Sequence, residues 1–388
     1  MISTNDQLLS RRVAKILPSK KEFVELLKAK KKIRLYQGFD PTGGRLHLGH
    51  TIGIRKLMDF ARAGHEVIIL FGTGTVLVGD PSERDTGRKL ITQKEINQNI
   101  KGWKDQIGPL VDFNLVTIKQ NGDWLIPLTL KDIVHLASNI SAVQLFKRKS
   151  FTRRIARGDT VWYHETMYPL LQGYDSVVLD VDLEIGGTDQ EFNMLVGREL
   201  QKKINNHNKF VLTVPMILGT DGKQMSKTSG NCVWLDDSAE DMFGKIMSIP
   251  DEQIPSYWEL LTDLPLKPAS DLLKNPLETK KELAFDIARQ FHGEIKAKQA
   301  QLQFETVIQQ KELPDNIPTV RLSSPKLSII EVLKQAKLNV SNSKIKQVIK
   351  QGGVTFNNKR ITDPNQIITP TKGDIIKFGK RTFRKIDL

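Results

Sequence analysis

Cysteine and long apolar runs are scarce in this chain of 388 residues, and acidic residues are outnumbered by basic ones. The single Cys232 excludes a disulfide framework and a metal cage of several thiolates, and it fits a reducing cytoplasm. No stretch approaches the roughly 18 uninterrupted apolar residues that a transmembrane helix requires, so no membrane partner is expected. The opening residues, MISTNDQLLSRRVAKIL, lack the layout of a secretory signal and are predicted to form a surface helix of a cytoplasmic protein.

Positive charge is in excess, and it is concentrated near the end of the sequence. Lys and Arg total 58 against 44 Asp and Glu, and residues 326–388 hold 14 basic and 4 acidic residues, which is +10 of the net +14. Such a segment suits a polyanionic partner, because each phosphate that is neutralised releases counterions. Charge alone is also compatible with a solvated lysine-rich surface.

Apolar runs typical of strands alternate with helical periodicity through the first two thirds of the chain. The predicted strands are residues 33–39, 66–71, 115–119 and 210–217, and the predicted helices are residues 48–63, 94–106 and 189–203. This alternation predicts a Rossmann-like α/β domain, a parallel sheet with helices on both faces, over residues 1–235.

Helical periodicity replaces the strands after residue 236. Helices predicted at residues 276–291 and 294–309 indicate a helical domain over residues 236–312. Residues 313–325 contain three prolines and are predicted to be a linker. Residues 326–388 follow as a small basic α+β module, with helices predicted at 328–338 and 343–351.

The first segment with chemical potential is FDPTGGRLHLGH, residues 39–50. A predicted strand ends there, and His47 and His50 fall at the start of a predicted helix. Phosphate is favoured at a helix N-terminus because free N–H groups and the helix dipole attract anions. Two imidazoles three residues apart can donate to the same triphosphate, while Gly49 lets a flat base approach the backbone. Taken alone, the motif is also compatible with two structural surface histidines.

A second segment, DGKQMSKTSGN at residues 221–231, places lysines and hydroxyls in a glycine-bounded loop. Such a loop can close over a pyrophosphate and stabilise the charge that develops there. By itself it is also typical of a solvated turn. The two segments together indicate nucleotide phosphate chemistry.

Three polar residues are predicted to share one helix face. Tyr168, Gln172 and Asp175 occur at i, i+4 and i+7, which is the spacing of such a face. Polar groups that converge in this way suit an ammonium and a phenol, although an ordinary polar helix face has the same pattern.

These segments resemble the class I aminoacyl-tRNA synthetases, and within that class the bacterial tyrosyl-tRNA synthetase family. Residues 47–50 are similar to the His-Ile-Gly-His signature, and residues 224–228, QMSKT, to the Lys-Met-Ser-Lys-Ser loop. The resemblance covers nearly the whole chain and extends to YQGFDPT at 36–42, GDPS at 79–82, YPLLQGYD at 168–175 and GGTDQ at 186–190. Residues 343–354 resemble the RNA-binding module that the family shares with a small-subunit ribosomal protein.

The resemblance implies a tyrosine–tRNA ligase. Its catalytic domain would bind ATP and tyrosine, the domain at 236–312 would lie on the anticodon side, and residues 326–388 would bind RNA. The enzyme would join L-tyrosine to ATP as tyrosyl-adenylate and then transfer the tyrosyl group to the 3′-terminal adenosine of tRNA(Tyr). It would act as a homodimer, and Mg²⁺ is expected only as the ion that accompanies ATP, with no protein-bound metal.

The resemblance also implies a set of site residues. For tyrosine these are Asp80, Tyr168 and Gln172 at the α-ammonium, Tyr36 and Asp175 at the phenol with Asn121 nearby, and Gln190 at the carboxylate. For ATP they are Gly38, Asp40, Gly49, Gly187, Asp189, Lys223, Met225 and Ser226. The phosphates would be bound by Thr42, His47 and His50, and the leaving pyrophosphate by Lys227, Thr228, Arg84 and Arg88.

The chain departs from the family pattern at three places. Gln224 replaces the first lysine of the loop, although Lys223 precedes it; Glu83 stands where a glycine is usual; and Glu191 stands where many relatives carry Trp. Two other functions remain open at this point. One is a tryptophanyl-tRNA synthetase, for which Tyr36 and Asp175 would have no matching indole partner. The other is a catalytically silent RNA-binding protein descended from a synthetase, which the intact histidines and Lys227 disfavour.

Overall fold

The computed structural model describes residues 8–80, 91–225, 230–306, 317–324, 326–336, 340–379 and 382–387, apart from the side chain of Lys149. The chain divides into two compact units. The first comprises residues 1–237 and 248–291, and the second comprises residues 238–247 and 292–388.

The first unit is built on a six-stranded sheet. Its strands are β1 (Lys15–Leu17), β2 (Arg34–Phe39), β3 (Glu66–Phe71), β4 (Val116–Gln120), β5 (Leu183–Gly187) and β6 (Phe210–Val214). The order across the sheet is β1-β6-β5-β2-β3-β4, and every pairing is parallel except that of β1 with β6. The predicted parallel α/β fold is therefore confirmed, with one antiparallel edge strand added.

Helices connect and cover these strands. In this unit they are α1 (Lys20–Ala29), α2 (Leu48–Arg62), α3 (Thr75–Val78), α4 (Gln93–Ile107), α5 (Gly122–Leu125), α6 (Leu130–Ala137), α7 (Ala142–Phe146), α8 (Lys149–Ala156), α9 (Tyr163–Leu179) and α10 (Glu191–Asn205). A 3₁₀ turn, Thr188–Gln190, precedes α10, and another, Asp251–Gln253, follows in the chain.

The core lies along the central strands. β3 is buried at five of its six positions and β6 at all five. Strands that are covered on both faces read as continuous apolar runs, which explains why the sequence pattern located them. The predicted helices at 48–63, 94–106 and 189–203 correspond to α2, α4 and α10, with ends that differ by one or two residues.

The predicted surface helix over the opening residues is wrong within the described part. Lys15–Leu17 is the edge strand β1, and Arg12 is 1% exposed with a φ of 61°. The Arg12 guanidinium lies 2.5 Å from Asp263, and Arg11 donates to the carbonyl of Leu264 at 2.8 Å. The two arginines therefore anchor the chain to the turn after a later helix, a long-range role that local periodicity does not reveal.

Five more helices follow the last strand of the six-stranded sheet. They are α11 (Ala239–Met247), α12 (Ile254–Leu261), α13 (Ala269–Leu272), α14 (Pro276–His292) and α15 (Glu294–Phe304). Helices α12 and α13 lie in the first unit, α11 and α15 lie in the second, and α14 ends at the boundary between the two units. Within the second unit α11 packs on α15, with the rings of Phe243 and Phe304 5.5 Å apart. The predicted helices at 276–291 and 294–309 correspond to α14 and α15, and residues 307–309 lie outside the described residues.

The remainder of the second unit is a small α+β module. Its helices are α16 (Ile329–Gln335) and α17 (Asn342–Lys350), and its strands are β7 (Thr319–Arg321), β8 (Leu327–Ser328), β9 (Val354–Phe356), β10 (Lys359–Ile361), β11 (Ile367–Ile368), β12 (Ile375–Phe378) and β13 (Thr382–Asp387). The five-stranded sheet has the order β10-β9-β12-β13-β7. Ile329, Leu333, Ile349 and Val354 lie in one buried apolar cluster.

Part of the predicted linker is a strand. Thr319–Arg321 pairs in parallel with β13, residue 319 opposite Lys385 and residue 321 opposite Asp387. A β-branched pair flanked by prolines resembles a linker in sequence, and only pairing with a strand more than 60 positions later reveals it as β7. Among the described residues, no helix is both long enough and apolar enough to cross a membrane.

Candidate active site

The site lies at the carboxyl edge of the parallel sheet. β2 is paired with β3 on one side and with β5 on the other, so the strand order reverses between β2 and β5. Crevices outside such a switch point are where open α/β sheets bind ligands. Asp40 follows β2, Asn121 follows β4, and Gly187 ends β5, so these predicted residues meet at the same edge.

One polar network crosses this edge from α9 to the loops after β2, β3 and β4. The Tyr168 hydroxyl donates to Asp40 at 3.0 Å, and the Thr75 hydroxyl donates to the same carboxylate at 2.7 Å. Asn121 donates to Thr75 at 3.0 Å and to Asp175 at 3.0 Å, and its carbonyl accepts from the Gly74 amide at 2.7 Å. Predicted residues far apart in sequence are therefore linked through Thr75.

Asp175 is a buried carboxyl, 2% exposed. Its second oxygen accepts from the Trp124 indole at 2.9 Å. Burial raises the pKa of Asp175 well above its ordinary range, while the donors Asn121 and Trp124 oppose that shift. A buried acceptor held by two donors is suited to a polar hydrogen that a ligand brings into the site.

Tyr36 lies beside this carboxyl on β2 and is fully buried. Its hydroxyl is 2.8 Å from that of Ser176 on α9. Burial, followed by the charges of Glu184 and Asp175, raises the pKa of Tyr36 well above its usual value, so the phenol stays protonated. Tyr36 and Asp175 thus supply a hydroxyl and an acceptor at the bottom of the site.

A second network joins the other polar residues. Gln172 donates to Glu184 at 3.2 Å and accepts from Asn193 at 2.9 Å. Asn193 also donates to Gln190 at 2.9 Å. The Gln190 amide in turn donates to Asp80 at 2.7 Å and to Asp189 at 2.7 Å. This network orients Gln172 and Asp80, two of the residues predicted to bind an ammonium.

Arg148 is a buried partner of Asp80 that the sequence analysis did not identify. Its guanidinium lies 3.0 Å from the Asp80 carboxylate and is 5% exposed. The ion pair fixes the orientation of a carboxylate that would otherwise face solvent.

The two histidines begin α2. His47 is its N-cap, and the His47 Nδ1 accepts from the Gly49 amide at 3.2 Å. His50 Nδ1 lies 3.1 Å from the His47 amide, which donates to it, and the two rings are 3.9 Å apart. Because its Nδ1 accepts, a neutral His47 ring carries its proton on Nε2 and can donate from there, whereas His50 Nδ1 also lies 3.2 Å from the His47 carbonyl and can donate to it in the other tautomer. A side chain at Gly49 would place its Cβ 3.0 Å from the His47 ring, which explains the glycine.

The base of the second loop lies against the histidine turn. The Leu48 amide donates to the Val233 carbonyl at 3.0 Å, and the Leu235 amide to the Leu46 carbonyl at 2.9 Å. Within the loop base, Asn231 donates to Asp221 at 2.8 Å and to the Gln224 carbonyl at 3.0 Å. The two sequence segments, about 180 residues apart, are thereby brought together.

Five of the predicted site residues lie outside the described residues: Arg84, Arg88, Ser226, Lys227 and Thr228. Of the others, Lys223 is exposed, its amide donating to Asp221 at 3.0 Å, and Met225 is buried. The Thr42 amide donates to the Asp40 carbonyl at 2.8 Å in the turn after β2.

Two glycines leave backbone accessible at the carboxyl edge. Gly38 is exposed although its strand is paired on both sides, and a Cβ there would meet nothing within 4 Å. A Cβ on Gly187 would come within 2.3 Å of the Asp189 carboxylate, so any other residue there would displace that carboxylate.

Several residues of the site carried little signal in the sequence. Thr75, Asn193 and Ser176 are ordinary polar residues of helices, and only their buried hydrogen bonds identify them. Glu184 and Lys209 were detectable in principle, because each is a charge within or directly beside an apolar strand, LEIGG and KFVLTV respectively.

Comparison with known families agrees with this geometry. The family model described as tRNA synthetases class I (W and Y) matches residues 28–309. The chain belongs to this family. The predicted family is therefore confirmed, and the model of the S4 domain matches residues 329–376 within the small α+β module.

Named relatives extend over nearly the whole synthetase chain. The tyrosine–tRNA ligase of Thermotoga maritima is 39% identical and covers 98% of this chain and 96% of its own. Tyrosine–tRNA ligase 2 of Pseudoalteromonas translucida is 40% identical, and the match covers 94% of this chain and 94% of that protein. A solved C-terminally truncated mitochondrial tyrosyl-tRNA synthetase of Aspergillus nidulans has a TM-score of 0.67 over 79% of this synthetase and 94% of that chain, and its 21% identity makes it evidence of the fold.

Proposed function

We propose that this synthetase is a tyrosine–tRNA ligase. The observation that carries the proposal is the buried pair of Tyr36 and Asp175, a hydroxyl and an acceptor that interact electrostatically close to where the strand order reverses. A phenol hydroxyl can bond to both groups, whereas phenylalanine offers neither of them a partner and an indole offers a single donor in a different position. The names of the relatives support the same substrate.

The reaction requires no nucleophile from the protein. The tyrosine carboxylate is ionised at neutral pH and attacks the α-phosphorus of ATP, the bond to the bridging oxygen breaks, and pyrophosphate leaves with that electron pair. Tyrosyl-adenylate remains. A hydroxyl of the 3′-terminal adenosine of tRNA(Tyr) then attacks the tyrosyl carbonyl and releases AMP.

The protein contributes positioning and charge stabilisation. Asp80, Tyr168 and Gln172 would bind the α-ammonium, Gln190 the carboxylate, and Asn121 would hold Asp175 in place. The residues that would bind ATP are Gly38, Asp40, Gly49, Gly187, Asp189, Lys223, Met225 and Ser226, with Asp189 and Gly187 at the ribose. Thr42, His47 and His50 would donate to the phosphates, and Lys227, Thr228, Arg84 and Arg88 would bind the pyrophosphate. Mg²⁺ would enter with ATP as its counterion.

Tyrosine-dependent exchange of labelled pyrophosphate into ATP tests the proposal directly. We expect exchange with L-tyrosine and none above background with L-tryptophan at the same concentration. Exchange with tryptophan alone would make the chain a tryptophanyl enzyme, and no exchange with either would favour a silent RNA-binding protein.

We also propose that the enzyme is a cytoplasmic homodimer. Large apolar side chains are exposed between β4 and β5, among them Leu130 and Tyr163, each 80% exposed. Exposed apolar side chains on a chain whose family pattern implies a dimer fit burial against a second copy. Leu130→Lys should convert dimer to monomer by light scattering, whereas Ile295→Lys, at a site 76% exposed elsewhere, should not. A wild-type protein that is monomeric at micromolar concentration would refute the dimer.

A further inference from the structure

A buried ion pair lies directly behind the proposed tyrosine site. The Lys209 ammonium contacts the Glu184 carboxylate, and the side chains are 0% and 2% exposed. Burial lowers the pKa of Lys209, while Glu184 opposes that shift. Removing two charges from water costs several kcal/mol, and such pairs are often replaceable by apolar residues without loss of stability. Stability alone therefore does not account for the pair.

The surrounding helices leave space for it. On α10, a Cβ at Gly197 would come within 2.8 Å of both the Lys209 Nζ and the Ser176 Oγ. The same Cβ would lie 3.2 Å from the backbone of Gly173 on α9. A close crossing of two glycines thus opens the cavity in which the charged groups meet.

The pair connects to both ends of the site. Lys209 donates to the Ser176 hydroxyl at 2.7 Å, and that hydroxyl is 2.8 Å from Tyr36. Glu184 accepts from Gln172 at 3.2 Å with its other oxygen. Tyr36 is the proposed phenol contact and Gln172 the proposed ammonium contact.

Hydrogen counting limits the directions in which this chain of bonds can run. An ammonium only donates, so Ser176 must accept from Lys209, and its own single proton is left for Tyr36 at 2.8 Å or Glu184 at 3.3 Å. The shorter contact is with Tyr36. When Ser176 donates to Tyr36, the Tyr36 proton is directed away from Ser176, toward Glu184 or, with tyrosine bound, toward the substrate. The acceptor Asp175 would take the substrate phenol's proton, which leaves the phenol oxygen to receive that of Tyr36.

We propose that Lys209 and Glu184 are positioning residues that orient the Tyr36 hydroxyl through Ser176, so that it donates to the phenol oxygen of tyrosine. The inference rests on the proposed tyrosine activity. Phenylalanine has no oxygen to receive that proton, so the arrangement favours tyrosine without affecting the rest of the amino acid. Breaking the connection from Lys209 through Ser176 to Tyr36 should lower kcat/KM for tyrosine and leave the weak activity with phenylalanine unchanged.

The test compares kcat/KM for tyrosine and for phenylalanine in pyrophosphate exchange by the full-length enzyme. The variants are Ser176→Ala, which breaks the connection and keeps the ion pair, and the double variant Glu184→Gln with Lys209→Met, which removes both charges. We expect each to lower kcat/KM for tyrosine about tenfold and to leave that for phenylalanine within a factor of about two. Calorimetric binding of the two amino acids should show the same difference.

The matched control is Lys56→Met. Lys56 is also a fully buried lysine, 3.5 Å from Asp59, but it donates to the Arg11 carbonyl on another part of the unit. This variant should change thermal stability and not the ratio of tyrosine to phenylalanine use. Equal losses for both substrates, or no loss, in Ser176→Ala would overturn the inference even if the double variant fails to fold. A wild type without tyrosine exchange would instead refute the proposed function.

Discussion

At the scale of single residues, the buried acceptor Asp175 is the sharpest determinant of substrate choice. Removing it leaves the substrate hydroxyl, Asn121 and Trp124 without their shared partner. A buried polar group without a partner costs about 1–3 kcal/mol. Asp175→Ala should therefore weaken tyrosine binding roughly 10- to 100-fold, and Tyr36→Phe should narrow the preference for tyrosine over phenylalanine. Binding and exchange measured with both amino acids check this, and unchanged discrimination in both variants would contradict the assignment.

His50 should act on the chemical step more than on tyrosine binding. Its Nε2 donor would face phosphate charge that grows toward the transition state, and donors of that kind are worth about 100-fold in rate. His50→Ala should slow adenylate formation by about that factor in single-turnover experiments and leave the tyrosine Kd within about twofold. Lys227→Ala is expected to act in the same way. A loss of tyrosine affinity with an unchanged rate of adenylate formation would show that His50 contributes to tyrosine binding and not to the reaction at the ATP phosphates.

Spacing within one helix was enough to group some site residues, and the remainder depended on tertiary contacts. Tyr168, Gln172 and Asp175 were grouped from their i, i+4, i+7 pattern, and all three lie on α9. Ser176 follows Asp175 directly, yet nothing in the sequence links it to Lys209, 33 positions later, across a crossing of glycines. Long-range hydrogen bonds of this kind leave no periodic signal.

At the scale of elements, buried strands were predicted where their sequences are continuous apolar runs, as in β3 and β6, whereas the buried strand β5, with Glu184 and two glycines in five residues, was not predicted. β3 was predicted at its observed bounds, whereas the short edge strand β1 was taken for part of a helix. Lys15–Leu17 gains its partner from β6, almost 200 residues later. Edge strands of three residues depend on such pairing more than on their own propensity.

Helix α2 contains a buried lysine whose titration is measurable. Burial lowers the pKa of Lys56 to about 8, against 10.5 for an exposed lysine. Between these values the unfolded chain binds more protons than the folded one, so the contribution of Lys56 to the free energy of unfolding increases as pH rises from about 8 to about 10.5. The wild type should gain at most about 3 kcal/mol relative to Lys56→Met over this range. Urea unfolding of both proteins across it checks the sign, and parallel curves would show that Lys56 titrates normally.

At the scale of the whole molecule, activation and tRNA binding should be separable. All proposed groups for tyrosine and ATP precede residue 231, whereas +10 of the net charge of +14 lies in residues 326–388. In helix α17, Lys344, Lys346 and Lys350 are exposed on a buried framework of Ile345 and Ile349. Neutralising these lysines should leave the fold intact, because none contributes to the core.

Changing Lys344, Lys346 and Lys350 together to Gln should leave tyrosine-dependent exchange within about twofold and reduce tRNA charging at physiological salt. Affinity for tRNA falls as salt rises, and each phosphate contact that is lost makes the slope of log affinity against log salt shallower by about 0.7–0.9. The loss of three contacts would make the slope shallower by about 2–3. Charging should recover at low salt or high tRNA concentration.

The control is a variant with Lys20, Lys21 and Lys28 changed to Gln, which removes the same charge from exposed positions of α1 in the other unit. If both triple variants lose charging equally, net charge is responsible; if neither does, α17 does not bind tRNA. A selective loss in the α17 variant, with a smaller salt slope, would place phosphate contacts on that helix.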